Sequence, residues 1–223
     1  MMLFRDRREA GRVLADKLQA LADRPDVLVL ALPRGGVPVA FEIARALHAS
    51  LDVFLVRKLG VPGYEELAMG AIATGGVRVL NDEVRTALGI PDSVIETVAA
   101  EEGQELAWRD HLYRDGRPPP DVHQRTVILV DDGLATGSTM RAAVRALRQQ
   151  SPGRIVVAVP VGAPQSCAEL SQEVDDLVCA SMPEPFHAVG AWYGDFAPTS
   201  DEEVRQLLQQ AAQATPMVQP AES

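Results

Sequence analysis

The chain has 223 residues, of which 47% are hydrophobic, and its 21 basic and 31 acidic side chains give a formal charge of −10. This apolar content is enough for a sizeable core, so the composition excludes a disordered chain. The acidic balance argues against a nucleic-acid-binding face, which needs clustered Lys and Arg. It leaves a phosphorylated ligand open, because backbone N–H groups can hold a phosphate whatever the overall charge.

The remaining composition indicates an ordinary cytoplasmic protein. The N-terminus is charged and no apolar run approaches ~20 residues, so we expect neither a signal peptide nor a membrane span. Cys167 and Cys179 form no CxxC pair, and we expect both to be reduced thiols. The four histidines lack metal-ligand spacing.

Short apolar runs alternate along the chain with amphipathic helical patterns. The predicted helices are 5–23, 37–47, 82–114, 140–147, 164–171 and 204–211. The predicted strands are 27–32, 51–56, 127–130, 155–159 and 177–179. Two further apolar stretches, 71–73 and 77–80, flank Gly75-Gly76 and predict a hairpin. This alternation predicts an α/β fold with a doubly wound, mostly parallel sheet of about five strands.

The chain divides into three predicted parts. Residues 1–181 form the core domain, 182–212 a small C-terminal hood with a final helix, and 213–223 a disordered tail. Residues 76–120 do not fit a simple strand–helix alternation. We interpret them as a mostly helical insertion between two core strands.

The most informative segment is 127–139, with the sequence VILVDDGLATGST. It reads as a buried strand, then Asp131-Asp132, then a turn that leads into a helix. Ligands bind at the carboxyl ends of strands in such sheets, and a helix N-terminus favours an anion there. Hydroxyl groups and Gly137 suit a phosphate, while the two carboxylates suit a pair of sugar hydroxyls.

Two common phosphate-binding motifs do not fit this segment. A Walker A loop requires Lys after its last glycine, and none is present here. A dinucleotide fingerprint places its acidic residue at the end of the next strand, whereas here the acids precede the loop.

Segment 127–139 resembles the 5-phosphoribosyl-1-pyrophosphate (PRPP) motif of type I phosphoribosyltransferases. The resemblance implies that Asp131 and Asp132 hold the ribose 2′- and 3′-hydroxyls. It also implies that Ala135 to Thr139 wrap the 5′-phosphate, within a longer PRPP-binding loop. The residues of this predicted loop are Gly133, Leu134, Ala135, Thr136, Gly137, Ser138 and Thr139.

Two other segments resemble the pyrophosphate-binding parts of that family. Pro33-Arg34-Gly35-Gly36 follows the first core strand, where the resemblance implies an unusual peptide conformation with Arg34 as a pyrophosphate contact. Arg57-Lys58 ends the predicted second strand, and Lys58 is the better candidate for pyrophosphate. A mobile loop over 60–71 is expected to close on the site. A solvated turn and a basic strand end are the structural alternatives.

The stretch from Phe186 to Phe196 is loosely similar to the hood over the acceptor base in purine-salvage members. The resemblance implies that Phe186, Trp192 and Tyr193 contact the acceptor. Asp195 would then help to hold Mg²⁺, the expected cofactor. A small apolar lid packed on the core is the alternative.

Together these features predict a phosphoribosyltransferase of nucleotide salvage. It would transfer the phosphoribosyl group of PRPP to a small nitrogenous acceptor, a nucleobase, and release pyrophosphate. The expected catalytic residues are Asp131, Asp132, Lys58 and Arg34, and a homodimer is expected from the resemblance. A non-catalytic PRPP or nucleotide sensor and an enzyme for another phosphosugar are the alternatives.

Overall fold

A central parallel sheet organises the chain, and the computed structural model describes residues 2–214 apart from the side chains of residues 65 and 66. Its strands are β1 (Val27–Ala31), β2 (Ser50–Val53), β6 (Thr126–Val130), β7 (Arg154–Val161) and β8 (Asp176–Ser181). They lie in the order β2-β1-β6-β7-β8, and every neighbouring pair is parallel. The predicted α/β fold with about five parallel strands is confirmed.

Each strand contributes to two apolar layers because successive side chains point to opposite faces. In β1, Val27 and Val29 face one layer and Leu28 and Leu30 the other. The first layer is covered by α1 (Arg7–Lys17), α2 (Gly36–Leu47), α4 (Asp92–Arg114) and α7 (Asp201–Ala214). The second is covered by α5 (Ser138–Gln149) and α6 (Pro164–Leu170). Burial on both faces explains why the central strands β1, β6 and β7 are continuous apolar runs.

A second, antiparallel sheet lies between β2 and α4 in the order of the chain. It consists of β3 (Val56–Val61), β4 (Tyr64–Ala73) and β5 (Val77–Leu80) in the order β3-β4-β5. The predicted Gly75-Gly76 hairpin is confirmed, with φ of 83° and 73° at the two glycines. The predicted strand 51–56 is wrong at its end, because the core strand stops at Val53 and Val56 already begins the small sheet.

The helical part of the predicted insertion consists of α3 (Asp82–Ala87) and α4. Arg114, the last residue of α4, is 1% exposed and ties the helix to the core strand β2. Its Nε lies 3.0 Å from Asp52 Oδ1, and its Nη2 donates to the Val53 carbonyl at 2.5 Å. The predicted boundaries of the insertion, 76 and 120, stay a prediction. The small sheet that contains β5 already starts at Val56.

The chain ends in an irregular stretch followed by α7. A short 3₁₀ turn, Val189–Trp192, is the main regular element between β8 and α7. Helix α7 continues to Ala214, two residues past the predicted end of the hood at 212, and 215–223 lie outside the described residues. Within residues 2–214, no helix combines the length and apolar character needed to cross a membrane.

Candidate functional site

The loop after β6 forms a tight turn at the start of α5. Gly137 takes the left-handed conformation (φ 74°), and α5 begins at the next residue, Ser138. The loop is anchored to β7, because Leu134 N–H donates to the Val161 carbonyl at 2.8 Å, and to α6, because Ser166 Oγ donates to the Ala135 carbonyl at 2.5 Å. A turn anchored in this way at a helix N-terminus suits a phosphate.

A cleft of about 170 Å³ opens on this loop. It is lined by Asp131, by every predicted loop residue from Gly133 to Thr139, by Met140 and by Val189 of the hood. Thr136 Oγ1 and Ser138 Oγ lie 3.2 Å apart, so two hydroxyl groups stand together at its wall. The structure therefore brings the predicted loop residues and Asp131, the first acid of the pair, together around one concave surface.

Asp131 lines the cleft, Asp132 follows it in the chain, and both are partly buried. The backbone N–H of Asp132 donates to Asp131 Oδ1 at 2.8 Å. Burial, followed by the charge of Asp132, raises the pKa of Asp131 well above its usual range. Burial also raises the pKa of Asp132, although Arg7 opposes the shift. The remaining oxygens, Asp131 Oδ2 and Asp132 Oδ1, accept no hydrogen bond from any residue in the described part of the chain.

Arg7, a residue that the sequence analysis missed, is the counterion of Asp132. Its Nε donates to Asp132 Oδ2 at 2.8 Å, and the two side chains are only 11% and 16% exposed. The same guanidinium donates to the Ala197 carbonyl at 2.8 Å and lies 3.9 Å from the centre of the Phe196 ring. Nothing in the sequence distinguishes Arg7 from its neighbours Arg5 and Arg8, so no sequence signal could have found it.

The Pro33–Gly36 loop meets the acid pair at the same sheet edge. The Pro33–Arg34 peptide bond is cis, which is the unusual conformation that the resemblance implied. A side chain on Gly35 would overlap the carboxylate of Asp132, and one on Gly36 would lie 2.7 Å from the Val130 carbonyl oxygen. Only glycine allows this approach. Arg34 itself is about half exposed, with Nη1 3.6 Å from Asp201 Oδ2.

The predicted placement of Arg57 and Lys58 at the end of a core strand is wrong. Both lie on β3 of the small sheet, because the core strand ends three residues earlier than its last predicted residue. Arg57 Nε donates to Glu102 Oε2 at 2.6 Å. Both residues line a separate cavity of about 480 Å³ between β3 and α4. This cavity shares no lining residue with the cleft on the loop after β6, which is called the phosphate cleft below.

The predicted mobile loop is also corrected. Most of the segment 60–71 pairs as antiparallel strands β3 and β4 rather than forming an open loop. A turn at Gly63, with φ of 81°, connects the two strands. This segment is therefore a hairpin whose base carries Arg57 and Lys58.

The hood residues form an aromatic cluster beside the site. Phe186 and Trp192 have ring centres 6.4 Å apart, and Tyr193 and Phe196 have ring centres 5.0 Å apart. Tyr193 is 5% exposed and its hydroxyl donates to the Asp132 carbonyl at 2.6 Å, so it braces the acid pair. The carboxylate of Asp195 accepts from the Ala197 N–H at 2.9 Å.

A doubly wound sheet with an acidic pair and a glycine-containing turn at one strand edge is an arrangement that suits a phosphorylated sugar. Comparison with known proteins specifies the family. The phosphoribosyl transferase domain model matches residues 6–190. The chain belongs to the phosphoribosyltransferase family.

Individual relatives agree with this assignment. A protein of Mycobacterium tuberculosis whose name assigns it provisionally to the phosphoribosyl transferases is 45% identical over 211 residues, 95% of this chain and 47% of that protein. The chain thus spans about half the length of this relative. A uracil phosphoribosyltransferase of Lactobacillus gasseri is 30% identical over 150 residues, 64% of this chain and 68% of that protein.

One solved structure is similar over almost the whole chain. The protein TT1426 of Thermus thermophilus superimposes with a TM-score of 0.84 at 45% identity, covering 94% of this chain and 99% of that one. The likeness therefore extends beyond the parallel sheet to most of the elements around it.

Proposed function

We propose that this chain transfers the phosphoribosyl group of PRPP to a nucleobase and releases pyrophosphate. The observation that carries the proposal is the pair of carboxylate oxygens left open beside an anion-binding loop, with the Pro33–Gly36 loop packed directly against them. A ribose 5-phosphate with a diphosphate on C1 matches these three elements. The carboxylate oxygens accept from the ribose hydroxyls, the loop after β6 donates to the 5′-phosphate, and the Pro33–Gly36 loop binds the diphosphate.

In the proposed complex, each group of PRPP has a partner. The 5′-phosphate occupies the turn between Ala135 and Thr139, and the ribose hydroxyls donate to Asp131 Oδ2 and Asp132 Oδ1. The pyrophosphate lies along Arg34, Gly35 and Gly36. Binding favours the ionised acids, because each hydroxyl then donates a hydrogen bond to a charged acceptor.

The reaction breaks the bond between C1 and the pyrophosphate oxygen, and the electron pair leaves with pyrophosphate. A lone pair on the acceptor nitrogen forms the new bond to C1, and the acceptor then loses its proton. Positive charge develops on the ribose in the transition state. Asp131 and Asp132 stabilise this charge, while Arg34 compensates the charge on the leaving group.

Magnesium is the ion that the family resemblance implies, and the chemistry of the site fits it. Mg²⁺ prefers oxygen ligands and is often held by one or two carboxylates together with substrate phosphates. Asp195 is the predicted protein ligand, and one of its carboxylate oxygens accepts the Ala197 N–H, which leaves the other available. The ion would neutralise part of the negative charge on the pyrophosphate.

The acceptor pocket is proposed to lie under the hood. Phe186 and Trp192 are both partly exposed and could offer a ring face to a planar base. Tyr193 would act indirectly, through Asp132. The uracil phosphoribosyltransferase relative makes uracil the first acceptor to test. The nucleotide-salvage role, the cytoplasmic location and the homodimer stay predictions.

A PRPP or nucleotide sensor is the second candidate, and one observation favours it. Two predicted leaving-group contacts are engaged by acids, Arg34 by Asp201 and Arg57 by Glu102. A sensor would leave these pairs in place, whereas the enzyme must release Arg34 when pyrophosphate arrives.

A direct test is to incubate the protein with PRPP, Mg²⁺ and each of a panel of purines, pyrimidines and small amines, and to measure pyrophosphate release. We expect release that depends on one acceptor. PRPP binding in calorimetry without release for any acceptor would favour the sensor, and absence of PRPP binding would contradict both the enzyme and a PRPP sensor.

Two substitutions separate binding from turnover. Asp132→Asn should weaken PRPP binding by roughly tenfold or more, because a neutral amide is a weaker acceptor than a carboxylate. Lys58→Ala should mainly slow turnover if the hairpin closes on the pyrophosphate. Unchanged PRPP affinity in Asp132→Asn would contradict the assignment of the ribose contact.

A further inference from the structure

The acid Asp132 is connected to the hood by two separate contacts. The Tyr193 hydroxyl donates to its backbone carbonyl at 2.6 Å, and Arg7 binds its carboxylate at 2.8 Å. Arg7 reaches the hood at the same time, through the Ala197 carbonyl and the face of the Phe196 ring. A single guanidinium, largely shielded from solvent, therefore touches both the proposed ribose-binding acid and the proposed acceptor lid.

The hood also closes directly on the phosphate cleft. Val189 lines the cleft, and a side chain on Gly133 would overlap the Val189 side chain. On the other side, Phe196 packs so closely on Gly190 that a side chain there would lie 2.7 Å from its ring. Phe196 is therefore in close packing contact with the 3₁₀ turn that carries Val189 and Trp192.

We propose that Arg7 is a positioning residue that couples ribose binding at Asp132 to the arrangement of the hood. Arg7 binds Oδ2 of Asp132, and the opposite oxygen, Oδ1, is left for the ribose. When a ribose hydroxyl donates a hydrogen bond to Oδ1, the Asp132 carboxylate is held in place as an ion. The carboxylate then holds Arg7, and Arg7 holds Phe196 and Ala197. The acceptor lid is then ordered by the sugar-phosphate substrate. The inference rests on the proposed binding of PRPP.

The two tryptophans of the chain provide a spectroscopic readout, since Trp192 lies in the hood and Trp108 lies exposed on α4. Trp108→Phe leaves Trp192 as the single reporter. In this background we would measure PRPP affinity by calorimetry, Trp192 emission with and without PRPP and Mg²⁺, and hydrogen exchange of residues 188–197. We expect PRPP to change the emission and to slow the exchange.

Arg8→Met is the matched control for Arg7→Met. Arg8 is the next residue of α1 and also makes an ion pair, 3.5 Å from Glu42, and a ring contact, 5.6 Å from the centre of Phe41. Neither partner of Arg8 belongs to the site. We expect Arg8→Met to retain the full Trp192 response, and Arg7→Met to bind PRPP while losing most of that response.

Arg7→Lys covers the case in which Arg7→Met does not fold. Lysine can keep the ion pair to Asp132 but presents a single donor group and no planar fork, so it cannot also hold Ala197 and stack on Phe196. We expect it to bind PRPP and to show a reduced response.

Three results would overturn the coupling. The first is PRPP binding to the Trp108→Phe protein with no change in emission or exchange. The second is a full Trp192 response in a folded Arg7 variant, and the third is an equal loss of response in Arg8→Met. Absence of PRPP binding to the Trp108→Phe protein would instead contradict the proposed function, and the coupling with it.

Discussion

At the scale of single residues, the site depends on two adjacent carboxylates whose ionised forms are disfavoured by burial. Burial raises the pKa of both, and the charge of Asp132 raises that of Asp131 further. An acid whose pKa is raised by folding contributes stability below its unfolded pKa, and this contribution is lost as the pH rises through the folded pKa. The unliganded protein therefore keeps Asp131 at a cost in stability at neutral pH.

Asp131→Asn tests this cost. The amide retains an oxygen for the Asp132 N–H but carries no charge, so the unliganded variant should melt at a higher temperature than the parent at about pH 7. The difference should shrink as the pH falls towards about 4. Calorimetric melting across this range is the measurement, and a less stable variant at neutral pH would contradict the argument. PRPP affinity should fall roughly tenfold to a hundredfold, because a charged acceptor is lost.

Gly35 illustrates a residue chosen for the space it leaves. Its φ and ψ of −60° and −32° suit any residue, so the backbone does not require glycine. The carboxylate of Asp132, however, occupies the place of a side chain. Gly35→Ala should displace Asp132 and lower PRPP affinity at least about tenfold, as a lost charged hydrogen bond would.

The control for this variant is Gly103→Ala in α4. A side chain there would lie 3.5 Å from Ile72 Cδ1, which is an ordinary contact. It should stabilise the protein by about 0.5–1 kcal/mol through helix propensity and leave PRPP affinity unchanged. Equal PRPP affinity in Gly35→Ala and Gly103→Ala would show that the Pro33–Gly36 loop and the phosphate loop do not bind the same ligand.

At the scale of elements, the insertion is held to the core by the end of α4. Arg114 is buried between Asp52 of β2 and Asp110 one helical turn earlier. Burial lowers the pKa of Arg114 and raises that of Asp52, and each charge partly offsets the shift of the other. Breaking a buried pair on one side leaves an uncompensated charge, which is more costly than the pair itself is stabilising.

Arg114→Met should therefore lower the free energy of unfolding by about 3–5 kcal/mol. Arg109→Met on the same helix removes a 35% exposed ion pair to Glu105 and should change it by less than about 1 kcal/mol. Urea denaturation of both variants is the measurement. Equal effects would indicate that α4 is held by its apolar face alone.

At the scale of the whole molecule, the N-terminus and the hood are one structural unit. Leu3 N–H donates to the Trp192 carbonyl, Gly194 N–H to the Phe4 carbonyl and Asp195 N–H to the Arg5 carbonyl. Phe4 is 6% exposed and packs on Tyr193, with ring centres 5.6 Å apart. Residues 3–5 thus hold the hood segment around residues 192–195 in place.

A truncated chain that begins at Asp6 should keep the parallel sheet and the phosphate loop but lose these contacts. Hydrogen exchange should rise in 188–196 and stay unchanged in the amides of 134–139, because the loop is anchored to β7 and α6 instead. Faster exchange in both segments would show that the loop depends on the N-terminus as well.

The sequence by itself determined the features that are contiguous in the chain. Strand β6, its acids, the phosphate loop and the start of α5 lie within 126–139, so their order and the burial of the strand follow from the local pattern. Alternation of apolar runs and amphipathic helices was likewise enough to predict the parallel sheet. Such features need only nearest-neighbour geometry and a buried strand, which a single sequence reveals.

Only the tertiary structure decided which distant groups complete the site. Arg7 lies 125 residues from Asp132 and Tyr193 lies 61 residues away, so no spacing in the chain links them. The same holds for Arg57 and Lys58, because a basic pair after an apolar run looks alike whether the strand ends or a new sheet begins. Arg7 and Tyr193 reach Asp132 because the fold places them next to it, and a pattern along the chain does not indicate that placement.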